Sequence, residues 1–117
     1  MTRNYSRLDA KDYAREHMRG IWAAALNPFR DDLSFDEAGF RSNIRHWIDD
    51  LGIKGLFIAG KQGEFFSMSL EERKRNFEIA VDECAGKAGV IVSASDQNFD
   101  TVFELASHAQ DCGADYI

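Results

Sequence analysis

Apolar runs opening near residues 21, 55, 90 and 115, each separated from the next by one amphipathic stretch of helical period, constrain this chain more than any other feature. Ile21-Trp22-Ala23-Ala24-Ala25-Leu26, Leu56-Phe57-Ile58-Ala59 and Val90-Ile91-Val92-Ser93-Ala94 are continuous rather than alternating, which suits strands of a parallel sheet buried on both faces. Asp115-Tyr116-Ile117 opens a fourth. Strands alternating with helices of this length imply parallel pairing through right-handed crossovers, in sequential order. The repeat fits both a closed barrel and an open doubly wound sheet. The loop after the first strand, Asn27 to Leu33, lacks the glycine-rich phosphate fingerprint of the dinucleotide-binding version of the open sheet.

Local chemistry places the helices. Ser34 with Glu37 and Ser69 with Glu72 read as capping boxes, in which the hydroxyl and the carboxylate each satisfy an orphan amide of the first turn. The first predicts a helix with Phe40, Ile44, Trp47, Ile48 and Leu51 inward and Gly52 as its left-handed stop. The second predicts a helix from about Leu70 to Ala85 with Phe77, Ala80, Val81 and Cys84 inward, ended by Gly86 and Gly89. A third carries Val102, Leu105, Ala106, Ala109 and Cys112 and closes at Gly113. Ahead of all of these, residues 1–19 read as a separate helical extension capped at Ser6 and Asp9, with Leu8, Tyr13 and Met18 as its apolar side. Such a segment suits the floor of a barrel or a subunit contact.

The stretch that bears on function is Gly55 to Arg73. Its loop brackets Lys61 and Gln62 between Gly60 and Gly63, a pattern that lets the backbone turn and leaves amides free to face a small carboxylate. Gly-Lys-Gln-Gly-Glu followed by Phe-Phe-Ser-Met-Ser-Leu-Glu-Glu-Arg resembles the Gly-Thr-Thr-Gly-Glu signature of the dihydrodipicolinate synthase and N-acetylneuraminate lyase family. Ala-Leu-Asn-Pro-Phe at 25–29 is similar to that family's Thr-Pro-Phe turn, and Gly113-Ala114-Asp115 to its entry into the fourth strand. The resemblance runs from Gly20 to Ile117. It implies a (β/α)8 barrel, of which this chain supplies about the first three and a half β-α units. It also implies a lyase or aldolase that binds a 2-oxo acid, usually pyruvate, as a Schiff base on a lysine, without a further cofactor or metal.

Residue by residue, the resemblance places Lys61 and Gln62 where the family has two threonines that hold the carboxylate and relay a proton. Ala24 falls where a small residue leaves room for the keto acid. Gly60, Gly63 and Glu64 structure the loop, Glu64 by accepting backbone amides, and Phe65 and Phe66 pack beneath it. Neither Lys61 nor Gln62 carries a hydroxyl, so the threonine relay has no counterpart, which argues against classical dihydrodipicolinate synthase activity. The family's lysine and tyrosines correspond to positions beyond Ile117, and none of Lys11, Lys54, Lys61, Lys74 or Lys87 matches that lysine, so no catalytic residue is assigned within this chain. Two alternatives stand beside this reading. One is a non-catalytic relative with a binding or assembly role; the other, suggested by Glu-Phe-Phe-Ser, is a dehydratase or aldolase of deoxy-keto sugar acids.

Composition bounds the remainder. At 117 residues the chain holds one core and falls short of the roughly 250 residues of a whole barrel. A net charge of −6 without a basic patch argues against a nucleic-acid partner. No apolar run approaches the roughly 20 residues that span a bilayer, so neither a membrane nor export is expected, and the cytoplasm is the default location. Cys84 and Cys112 sit at apolar helical positions and read as reduced core thiols. The family resemblance further implies a homo-oligomer, dimer or tetramer.

Overall fold

The computed structural model describes residues 5–117. Its elements are α1 (Ala10–His17), β1 (Trp22–Ala24), α2 (Glu37–Arg45), β2 (Gly55–Ile58), α3 (Leu70–Cys84), β3 (Gly89–Val92) and α4 (Phe99–Cys112). The strands pair in parallel in the order β1-β2-β3, with Trp22 opposite Gly55 and Gly55 opposite Gly89. A parallel bridge from Ile91 to Tyr116 starts a fourth strand beside β3. The β-α repeat and sequential order are therefore as the apolar runs predict.

Two of the strand expectations are corrected. Leu56, Ile58, Val90 and Val92 pack against the helices and are fully buried, but Trp22, Ala24 and Phe57 lie on the opposite face and retain exposure. The sheet is thus buried on one face among the described residues. Ile21 and Leu26, expected inside the first strand, flank it and are 70% and 59% exposed.

The helices follow their capping chemistry where that chemistry is local. Ser69 accepts from the Glu72 amide at 3.1 Å and Glu72 Oε2 accepts from the Ser69 amide at 2.8 Å, completing the predicted box at the start of α3. The box expected at Ser34 and Glu37 does not form. A bridge between Phe29 and Phe35 and the hydrogen bond from the Asp36 amide to Pro28 O hold the chain extended through Phe35. The helix therefore starts later, on Asp36, whose carboxylate accepts from the Gly39 amide at 3.1 Å. Ser34 turns back to Asp32.

Phe40 and Ile44 anchor α2, Trp47 and Ile48 pack partly against the core from a following π-helical turn, and Leu51 is exposed. Gly52 takes the predicted left-handed stop, with φ 68°. α3 ends on Ala85 in the left-handed region, and Gly89, expected to end that helix, instead opens β3. Leu105 and Ala109 seat α4, capped by Asn98 and closed by Gly113 at φ 95°. Cys84 is buried and Cys112 half-buried, both as free thiols, and burial pushes the Cys84 thiol up to about 12.

α1 sits under the N-terminal ends of the strands. Tyr13 of α1 meets the Tyr116 ring at a centroid distance of 6.3 Å, Trp22 of β1 meets the same ring at 6.0 Å, and the Tyr5 hydroxyl, ahead of the helix, donates to Asp115 O. Leu8 and Met18, expected to pack, are exposed. Ser6 and Asp9 bond each other, and Asp9 gives no side-chain cap to the helix. The Trp22 indole lies across the opening of the sheet, where a Cβ on Gly55 would come within 2.1 Å of the ring. Residues 1–4 of the proposed extension lie outside the described residues. No described helix is long and apolar enough to cross a membrane.

Candidate functional site

The loops after β1, β2 and β3 converge at the C-terminal ends of the strands, the side on which barrel enzymes build their sites. The loop after β2 is bounded by two residues in the left-handed region, Ala59 at φ 55° and Glu64 at φ 53°. Neither is glycine, and each such residue costs about 1–2 kcal/mol. Gly60 and Gly63, predicted to provide the turns, serve close approach instead. A Cβ on Gly60 would meet the Phe57 ring at 2.6 Å, and one on Gly63 would meet Ala25 O at 3.0 Å and Asn27 Nδ2 at 3.1 Å.

Between those bounds the amides of Gly60, Lys61, Gln62 and Gly63 donate to no acceptor among the described residues. The Glu64 amide donates to Lys61 O at 3.0 Å and closes the turn. The side chains of Lys61 and Gln62 stand exposed above it. Glu64 is corrected from its predicted role. Its carboxylate is exposed and accepts no bond among the described residues, and Glu64 holds the loop through its backbone, with the Ser67 amide donating to its carbonyl at 2.8 Å. Phe65 is partly buried, whereas Phe66, expected beneath the loop, is 68% exposed. Ala24 lies on the open face of the sheet, paired with Phe57, and its small side chain leaves that surface unfilled.

Asn27, which the sequence already places at the end of the first strand, and two residues of α3 that the sequence reading did not single out, Asn76 and Arg73, hold these loops. Asn27, at the end of β1, donates through Nδ2 to Gly63 O at 2.7 Å and accepts at Oδ1 from Asn76 Nδ2 at 2.9 Å. Asn76, on α3, is completely buried. Arg73, also on α3 and 3% exposed, donates to Ser95 O at 2.8 Å, to Asp96 Oδ2 at 3.2 Å and to Ser93 O at 3.3 Å. Its guanidinium lies 4.8 Å from the centroid of Phe65. Burial holds its pKa below the ordinary arginine value, and Asp96 opposes that shift. A groove of about 550 Å³ opens between Phe65, Phe66, Met68, Arg73 and Asp96. The signal was available in the sequence: Arg73, Asn76, Phe77, Ala80 and Cys84 recur at helical spacing, so two polar residues occupy the inward stripe.

Residues 17–117 match the family described as the Dihydrodipicolinate synthetase family. The chain belongs to that family. Among the family's curated members, it is 42% identical over 100 residues to the N-acetylneuraminate lyase of Clostridium perfringens, covering 86% of this chain and 35% of that protein. Among solved structures, the Clostridium difficile protein CdNal, crystallised in complex with mannosamine, superimposes with a TM-score of 0.80 at 39% identity, over 84% of this chain and 34% of that one. YagE of Escherichia coli K12, a family member crystallised in complex with pyruvate, gives a TM-score of 0.76 at 33% identity, over 82% of this chain and 32% of that one. The chain thus spans about a third of the length of these family members, and its fold is that of the first β-α units of a (β/α)8 barrel.

Proposed function

We propose that the full-length protein is a lyase that makes or breaks a carbon-carbon or carbon-oxygen bond next to a 2-oxo acid, pyruvate or a deoxy-keto sugar acid. The observation that carries this reading is the loop at the end of β2 whose amides have no acceptor among the described residues, in a chain whose relatives bear the name N-acetylneuraminate lyase. The amides of Gly60 to Gly63 hold the carboxylate of the keto acid, Ala24 leaves room beside it, and Lys61 adds charge above it. Gln62 offers a further amide donor. In this reading residues 20–117 supply the first part of the barrel, and residues 1–19 are an extension whose helix closes its lower end.

The bond-making step is assigned to a lysine outside these 117 residues. A neutral amine attacks the 2-oxo carbon and water leaves, giving an iminium that accepts the electron pair of the breaking bond. Without hydroxyls at positions 61 and 62, protons move by another route than the threonine relay, which separates this protein from dihydrodipicolinate synthase proper. The test is borohydride trapping. The full-length protein incubated with pyruvate and borohydride should gain one stable adduct by intact mass, and the 117-residue chain should gain none. An adduct on Lys61 would overturn the assignment, as would a full-length protein that traps nothing.

A further inference from the structure

We propose that Asn27 and Asn76 act together as positioning residues for the amide loop, Asn76 fixing which way the Asn27 amide faces and Asn27 fixing Gly63. The proposal deepens the reading above and rests on it for its kinetic consequence, but its structural consequence stands alone.

An asparagine side chain presents a donor at one end and an acceptor at the other, and only its neighbours decide which faces where. Here Asn76 Nδ2 donates to Asn27 Oδ1 at 2.9 Å, so Asn27 is left to turn Nδ2 toward Gly63 O, 2.7 Å away. Were the amide reversed, its oxygen would oppose the carbonyl of Gly63. Asn76 is fully buried, and its own Oδ1 has no partner among the described residues. A buried amide with an unsatisfied oxygen is unfavourable, and a leucine on the same stripe would pack without that penalty. Directing Asn27 is what the asparagine does that leucine cannot.

Gly63 is the right point to hold. It ends the run of amides without an acceptor among the described residues, adjoins the left-handed Glu64, and lies so close to Ala25 O that a Cβ there would sit 3.0 Å away, a tight contact. Backbone held in a sparsely populated conformation persists only where its surroundings over-determine it. Letting go of the Gly63 carbonyl therefore releases the turn in which Glu64 donates to Lys61 O, and with it the alignment of the amides from Gly60 to Gly63.

The experiment uses the full-length protein with Asn76→Leu, Asn27→Leu and the double variant. Two readouts are taken. The first is hydrogen exchange at the amides of Glu64 and Ser67, which should quicken about tenfold in each variant, the loss of one hydrogen bond. The second is steady-state kinetics with pyruvate-type substrate, where KM should rise about tenfold with kcat within about twofold, since the loop binds the carboxylate in ground and transition states alike. The double variant should be no worse than either single one, as expected of residues acting in series. Asn76→Leu should keep or raise the melting temperature, which separates positioning from general stability. Unchanged exchange at Glu64 and Ser67, a fall in kcat without a rise in KM, or additive effects in the double variant would each overturn the proposal. If Asn76→Leu fails to fold, Asn27→Leu carries the same two readouts. A wild type that traps no pyruvate removes the lyase reading and leaves the exchange result to decide the positioning claim.

Discussion

Replacing Arg73 with methionine tests how much of the site's framework depends on one buried cation. The side chain is 3% exposed and holds the loop after β3 through Ser93 O, Ser95 O and Asp96, while stacking near Phe65 of the loop after β2. Methionine retains much of the stem volume and removes every donor. Ser93 is buried, so its carbonyl loses a partner that water does not readily replace, at about 1–3 kcal/mol. Removing one member of a buried ion pair costs about 3–5 kcal/mol, but Asp96 is 29% exposed and rehydrates once Arg73 is gone, which lowers that term. Some cost is also recovered, because the guanidinium no longer has to be desolvated and its Nε has no partner among the described residues. The net expectation for Arg73→Met is a loss of about 2–3 kcal/mol, read as a lower urea midpoint at unchanged slope. Asp96→Asn keeps an acceptor near the guanidinium and leaves both carbonyl bonds, so it should cost about 1 kcal/mol or less. A loss below about 0.5 kcal/mol in Arg73→Met would refute the buried-clamp argument. Equal losses in the two variants would show that the ion pair, rather than the carbonyl bonds, carries the energy.

Glu64→Gly should leave stability within about 1 kcal/mol of wild type and on the favourable side, because relief of the left-handed backbone outweighs the extra chain entropy of glycine. A larger loss on urea denaturation would restore a fastening role for the carboxylate. Acid should destabilise the chain partly through Glu72, whose carboxyl is held below the usual range by the Ser69 amide first and the Phe35 amide second. A depressed folded pKa gives stability that is full above the unfolded value, near pH 4.5, and lost as pH falls through the folded one. Wild type should therefore lose stability more steeply than Glu72→Gln below about pH 4.5, and parallel titrations of the two would show that those amide bonds contribute nothing.

What the sequence makes legible here is whatever is decided within a few residues. The box at Ser69 and Glu72 forms as read because both partners lie in one helical turn. The same pattern at Ser34 and Glu37 is overridden by the pairing of Phe29 with Phe35, a contact that no capping rule contains. Strand positions are legible because continuous apolar runs have few other uses, but which face is covered depends on the elements around the sheet. The loop after β2 is legible as a loop. Its bends at Ala59 and Glu64 are not, since only tertiary contacts hold those residue types in the left-handed region.

The candidate site is legible in part for the same reason, and α3 shows how. From its first two turns, Glu72 Oε1 accepts from the Phe35 amide at 3.1 Å, Arg73 holds the backbone at Ser93 and Ser95, and Asn76 holds Asn27, which holds Gly63. Each of the loops following β1, β2 and β3 is thus tied to one helix end. Further along the same stripe Phe77, Ala80 and Cys84 pack into the apolar core. The stripe changes from polar to apolar along its length because its N-terminal end lies level with the loops and the remainder lies beside the strands. A helix that both packs a sheet and organises the loops above it must carry polar residues where amphipathic periodicity calls for apolar ones. In a chain built from β-α units, a charged or amide side chain on the inward face near a helix start therefore points to the loops that the helix organises.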